Sequence, residues 1–301
     1  MRKPLFTGCG TALITPFKDG SVDFEALDAL VERQIAAGVD ALVAAGTTGE
    51  PATMTWEEHL AVIRRVVEVA RHRVPVIAGT GSNSTAEAVY AAQYSEQFGA
   101  DAQLVVTPYY NKTSQQGLVA HFHAVADAAT LPVIVYNVPS RTGINIGPET
   151  LQAICAHPKV IAVKEASSDV GQALEKLRLC GDTVTFYSGN DDLVMPLMAC
   201  GFQGVISVVS NLLPEETARM THLALARENE QAAALQLRLL PIINALFSET
   251  SPIPIKAAMA RMGWCEEELR LPLVPMQPKT REHLYACMRE LGLIGGDASC
   301  G

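Results

Sequence analysis

Lys164 follows directly on Val160-Ile161-Ala162-Val163. It is one of eight lysines, and it emerges from a fully apolar run. An ammonium is costly to keep in such surroundings, so burial lowers the pKa of the amine. A neutral amine attacks a ketone, which suits the position to a Schiff-base nucleophile. The alternative is a structural lysine paired with Glu165, but strand neighbours point to opposite faces. Tyr136 ends another apolar run, Pro132–Tyr136. A phenol there could shuttle protons if its own pKa is lowered; a core tyrosine at a rim accounts for it equally. Thr47 and Thr48 stand in Gly46-Thr47-Thr48-Gly49-Glu50, where two hydroxyls and exposed N–H groups suit a small carboxylate. A plain tight turn also explains that segment. Arg141 can hold a carboxylate bidentately or be solvated surface charge.

Other groups carry less. Gly79-Thr80-Gly81-Ser82-Asn83-Ser84 lacks the third glycine of a dinucleotide loop. His121 and His123 are two apart on an expected helix and diverge, so they do not share a metal. Asp191-Asp192 fits a helix N-terminus better than a cation site.

These residues need a scaffold that gathers them. Eight short apolar runs recur: Thr11–Ile14, Ala41–Ala44, Val74–Ala78, Ala102–Val106, Pro132–Tyr136, Val160–Val163, Val184–Tyr187 and Gly204–Val208. Continuous rather than alternating apolar character marks parallel strands covered on both faces. Between them lie amphipathic segments with helix signals. Asp23 is a cap before Phe24, Leu27, Leu30 and Val31, and Ser84 with Glu87 makes a capping-box pattern. Gly38, Gly99 and Gly201 suit helix C-terminal turns. The repeat predicts a (β/α)8 TIM barrel with additional C-terminal helices, as residues 1–230 and an appendage over 231–301 packed on the barrel. A doubly wound open sheet is the runner-up. In such barrels chemistry sits at the C-terminal strand ends, where Thr47, Thr48, Tyr136, Arg141 and Lys164 fall.

The 301 residues suit one such barrel. Seven cysteines, an odd number without a Cys-x-x-Cys pair, argue against a disulfide framework and a zinc knuckle. The net charge of −9 argues against nucleic acid. No membrane span or signal peptide is legible, so a cytoplasmic protein is expected.

Four blocks at the strand ends carry a resemblance: Gly-Thr-Thr-Gly-Glu at 46–50, Thr-Pro-Tyr-Tyr-Asn at 107–111, Tyr-Asn-Val-Pro-Ser-Arg-Thr-Gly at 136–143, and Lys-Glu-Ala at 164–166. From about Gly8 to about Leu293 the chain resembles the dihydrodipicolinate synthase family (4-hydroxy-tetrahydrodipicolinate synthases). That family belongs to a pyruvate-dependent aldolase superfamily that also holds N-acetylneuraminate lyase. The resemblance implies a lyase of the diaminopimelate and lysine pathway that condenses pyruvate with L-aspartate 4-semialdehyde. It implies Lys164 as imine lysine, Tyr136 as proton carrier, and Thr47 linking Tyr136 to Tyr110 of a neighbouring subunit. Thr48 and the backbone of Ile206 would hold pyruvate, and Arg141 the second carboxylate. It further implies a homotetramer built as a dimer of dimers, no cofactor and no metal. L-Lysine would inhibit at Ala52, Trp56, His59, Asn83, Glu87 and Tyr109, although Pro51 and Trp56 depart from the family's histidine and serine pattern. The rivals are a sialic-acid or keto-deoxy sugar acid aldolase on the same scaffold, and a non-catalytic sensor barrel.

Overall fold

The computed structural model describes residues 2–295. Eight strands form a closed parallel barrel: β1 (Gly8–Ala12), β2 (Ala41–Ala44), β3 (Val76–Gly79), β4 (Ala102–Val106), β5 (Val133–Asn137), β6 (Val160–Glu165), β7 (Thr185–Ser188) and β8 (Gly204–Ser207). Each strand pairs with its chain neighbours, and β1 pairs with both β2 and β8 to close the ring. Closure needs a glycine: Gly204 sits at φ +152°, and a Cβ there would lie 1.9 Å from the Gly8 carbonyl oxygen.

The strands are buried on both faces, which is why they read as continuous apolar runs. Ala41, Val43 and Ile134 turn into the barrel. Their neighbours Leu42, Ala44, Val133 and Val135 meet the surrounding helices. Those helices are α1 (Phe24–Ala36), α2 (Trp56–Ala70), α3 (Thr85–Gln97), α4 (Gln115–Ala128), α5 (Pro148–Cys155), α6 (Val170–Cys180), α7 (Val194–Ala199) and α8 (Pro214–Leu225). Asp23 caps α1 as expected, accepting from the Ala26 N–H at 3.0 Å. Gly38, Gly99 and Gly201 all take positive φ.

Two local expectations are corrected. The first strand lies three residues before Thr11–Ile14, because Gly8–Gly10 form the closing ladder while Leu13 and Ile14 have left it. Ser84 accepts from the Glu87 N–H at 3.4 Å, but the Glu87 carboxylate turns to the Ser82 hydroxyl at 2.7 Å, so that capping box stays half formed. A complete box occurs on α2, between Thr55 and Glu58.

Three further helices follow: α9 (Asn229–Leu246), α10 (Ile253–Arg261) and α11 (Pro278–Glu290). Leu239, Ile242, Ile255 and Met288 share a second core with Ile14, Leu30, Val208 and Leu212 of the barrel. The extension therefore covers part of the barrel's C-terminal rim. Among the described residues, six cysteines are free, no helix is long and apolar enough to cross a membrane, and no cluster of metal-ligating side chains occurs. Cys300 and the last residues of the 231–301 appendage lie outside the described residues.

Candidate active site

Lys164 is the fifth residue of β6 and points into the barrel, with 5% of its surface exposed. The strand register places it between Tyr136 of β5 and Tyr187 of β7. Its Nζ stands 4.4 Å from the centroid of the Tyr136 ring. Burial pushes the amine down to about 8; Arg141 adds to the depression and Asp191 opposes it. Gly189 leaves room for the stem, since a Cβ there would lie 3.1 Å from Lys164 Cε.

Tyr136 is also buried, and burial raises its pKa; Arg141 and a hydrogen bond with the Thr47 hydroxyl pull it back. The lowering that would favour a proton shuttle is not what burial produces here. The phenol therefore keeps its proton at neutral pH, and the face of its ring lies against the amine.

Thr47–Gly49 form a single 3-10 turn after β2. The Gly49 and Glu50 N–H groups bond inside it, to Gly46 and Thr47 carbonyls at 2.8 and 3.2 Å. Of the turn's N–H groups these two are therefore already engaged. Glu50 ends it in the left-handed region at φ 55°. Its buried carboxylate is held by Lys256 of α10 at 2.6 Å, and the backbone N–H of Arg270 donates to it at 3.4 Å. The extension thereby grips the turn that carries both threonines.

Arg141 lies in the short helical turn Pro139–Thr142 after β5, and its Nη2 donates to the Ser251 carbonyl at 3.0 Å. A cavity of about 500 Å³ opens here, lined by Thr47, Arg141, Ser251, Tyr109, Trp56, His59 and Glu87 among others. Lys164, Tyr136, Thr48 and Ile206 are buried and stand outside that lining, and Tyr136 and Ile206 belong to the inner barrel cluster.

The structure does not bring Tyr110 into this chamber. Its ring is 91% exposed, on a backbone held at φ +67°. A bulky side chain rarely takes that conformation without a compensating contact. Asn83 also stands outside the cavity lining, where its carbonyl accepts from Asn111 at 2.9 Å. Ala52 joins Trp56, His59, Glu87 and Tyr109 around the cavity. Trp56 stacks on His59, with ring centroids 5.2 Å apart. His59 bonds the Gly79 carbonyl at 2.7 Å, and burial keeps its pKa low.

Glu165 does find a lysine partner, but it is Lys176 of α6, at 2.8 Å. Lys164 is left unpaired by its neighbour. Asp191 does not cap the helix that follows it; its Oδ2 accepts from the Val208 and Val209 N–H groups at 3.0 and 3.3 Å. Lys176, Ser251 and Lys256 carry no legible signal, because their partners are distant in sequence; Glu50 and Asn137 stand in the quoted blocks, but their bonds to Lys256 and Glu165 are not legible there.

The sequence profile described as the dihydrodipicolinate synthetase family matches residues 5–291. The chain belongs to this family. It is similar to the 4-hydroxy-tetrahydrodipicolinate synthase of Geobacter metallireducens, with 50% identity over 96% of this chain and all of the relative. Among solved structures, the family member from Acinetobacter baumannii complexed with pyruvate matches with a TM-score of 0.94 and 40% identity, covering 96% of this chain and 99% of that one. The member from Cyanidioschyzon merolae with lysine bound matches with a TM-score of 0.94 and 40% identity, over 97% and 100%. As a member of the dihydrodipicolinate synthetase family, the chain is a Schiff-base-forming lyase.

Proposed function

We propose that the protein condenses pyruvate with L-aspartate 4-semialdehyde, as 4-hydroxy-tetrahydrodipicolinate synthases do, at the head of diaminopimelate and lysine biosynthesis. The observation that carries this reading is the buried Lys164 amine against the Tyr136 ring, beneath a mouth that holds Arg141. The barrel over 1–230 and the appendage over 231–301 act as one catalytic unit in the cytoplasm. The grip of Lys256 on Glu50 supports that unity.

The Lys164 amine adds to the pyruvate ketone, and loss of water leaves a protonated imine. That imine is an electron sink, so a methyl proton leaves and an enamine forms. The enamine carbon bonds to the aldehyde carbon of the semialdehyde. The substrate's amino group then attacks the imine carbon, expels the Lys164 amine and closes a six-membered ring. Tyr136 supplies and retrieves protons at the imine, in line with its retained phenol proton. Thr47 bonds the Tyr136 phenol and passes protons onward to Tyr110 of a second copy. The Thr48 hydroxyl and the Ile206 backbone hold the pyruvate carboxylate, and Arg141 takes the carboxylate of the semialdehyde. The lysine itself provides the sink, so this reading calls for no metal or organic cofactor.

The exposed, strained Tyr110 supports a closed symmetric homo-oligomer, a dimer of dimers, in which a partner covers the ring. L-Lysine would regulate the enzyme at Ala52, Trp56, His59, Asn83, Glu87 and Tyr109. Five of these six line the same cavity as Arg141.

Two measurements test the reading. Reduction with borohydride in the presence of pyruvate should fix one pyruvate-derived mass on Lys164. A coupled assay should show turnover with aspartate semialdehyde and none with sialic acid or keto-deoxy sugar acids. Trapping at another lysine, or preference for a sugar acid, overturns it.

A further inference from the structure

Directly behind the imine lysine lies a second polar pair that faces away from the chamber. Glu165 follows Lys164 on β6 and points outward to α6. Its side chain is 2% exposed, and that of Lys176 is fully buried. Besides Lys176 at 2.8 Å, the Glu165 carboxylate accepts from Asn137 Nδ2 at 3.0 and 3.2 Å and from the Ser167 N–H at 2.8 Å. Asn137 follows Tyr136 on β5, and the ladder pairs Tyr136 with Lys164 and Asn137 with Glu165. The two residues inside the barrel are therefore matched by two outside it, bonded to each other. Asn137 also accepts from the Ile146 N–H at 3.0 Å, which ties in the loop that carries Arg141.

A bare Glu165 anion at this place would act on Lys164. Their charged ends lie on opposite faces of one strand, roughly 10 Å apart. At that range a buried charge moves a neighbour's pKa by about one unit. A cation at 2.8 Å cancels most of that field. The charged groups that do act on Lys164 are Asp191 and Arg141, not Glu165.

We propose that Lys176 is a positioning residue for the imine site: through Glu165 it fixes the height of Lys164 and Tyr136 and keeps the carboxylate behind the nucleophile electrically silent. The inference rests on Lys164 being the imine lysine. The titratable groups facing Lys164 are Tyr136, Tyr187, Arg141 and Asp191. On the outer side, Cys180 of α6 lies near Lys176, and Cys155 of α5 lies against Cys180. All six stay unchanged in the test.

The test is the pH dependence of the initial rate of trapping by pyruvate and cyanoborohydride, followed by intact mass. In Lys176→Met the unmasked anion favours the Lys164 ammonium, so the half-maximal pH should move up by about one unit. In Glu165→Gln the orphaned Lys176 cation disfavours that ammonium, so the midpoint should move down. The double variant, neutral at both positions, should return it to within half a unit of the wild type. A purely structural pair would lower the rate at every pH with an unmoved midpoint, and that result overturns the inference. So do single variants that shift in the same direction. If one single variant does not fold, the other decides: a midpoint shifted in the direction given supports the proposal, and an unmoved one overturns it. Absence of trapping at Lys164 in the wild type would instead refute the assignment of the nucleophile.

Discussion

The Lys164 amine lies 4.4 Å from the centroid of the Tyr136 ring, at the same register of adjacent strands. That proximity sets a buried amine beside a phenol that keeps its proton. Burial of the amine carries a stability cost. The folded pKa of Lys164, about 8, is below its ordinary value of 10.5. As pH falls through that window the unfolded chain takes up the proton first, so the native state loses stability and bears the full cost below pH 8. Lys164→Met should abolish turnover and raise unfolding stability at pH 7 by up to about 3 kcal/mol. Urea denaturation checks this; an equal or lower stability in the variant would contradict the buried, depressed amine.

The same pKa sets an activity limb. Trapping by pyruvate should rise with pH and level off above about 8, because the free amine is the attacking form. A rate already flat from pH 6 upward would mean that the amine is deprotonated well below that value.

Arg141→Ala should mainly raise the KM for aspartate semialdehyde and lower turnover, by one to two decades in kcat/KM. That corresponds to roughly 1.5–3 kcal/mol for one charge-assisted contact. Steady-state kinetics varied in each substrate separates the cases. An effect confined to pyruvate would move Arg141 to the other carboxylate.

Tyr110 has a place in the chemistry only if another copy covers it. Analytical ultracentrifugation at micromolar concentration should show a tight dimer or a tetramer, and Tyr110→Phe should reduce turnover while keeping the assembly. A fully active monomer would remove both the assembly and the relay.

L-Lysine at millimolar concentration should inhibit, and Glu87→Ala should relieve that inhibition without loss of turnover. In the free protomer Glu87 bonds Ser82 at 2.7 Å, so the ligand's ammonium has a carboxylate already oriented at the cavity. Calorimetry with no heat of lysine binding would sink this prediction and leave the catalytic reading standing.

The barrel was legible because two-sided burial writes strands as unbroken apolar runs. Lys164 and Tyr136 were legible because each closes such a run. The first strand was misplaced because its glycines look like breakers, whereas Gly8 and Gly204 are what let the seam approach. The supports behind the site left no local trace. Lys176 comes eleven residues after Glu165 on another element, and Lys256 comes 206 residues after Glu50. Spacing along the chain reveals only partners within one helix or one ladder, so long-range ion pairs stay hidden until the chain closes on itself.

The floor of the barrel has a kinetic meaning. Phe6 and Tyr187 stack with ring centroids 4.2 Å apart and planes 1° from parallel, and the Tyr187 hydroxyl bonds the Phe6 carbonyl at 2.7 Å. This plug closes the barrel below the chamber, which leaves the doorway beside Arg141 as the way in among the described residues. Traffic through one doorway has to queue. The keto acid, which reacts deepest, goes in first, and the water released by imine formation leaves past the mouth before the semialdehyde seats there. Double-reciprocal plots at several concentrations of the second substrate should therefore run parallel, the signature of a ping-pong sequence.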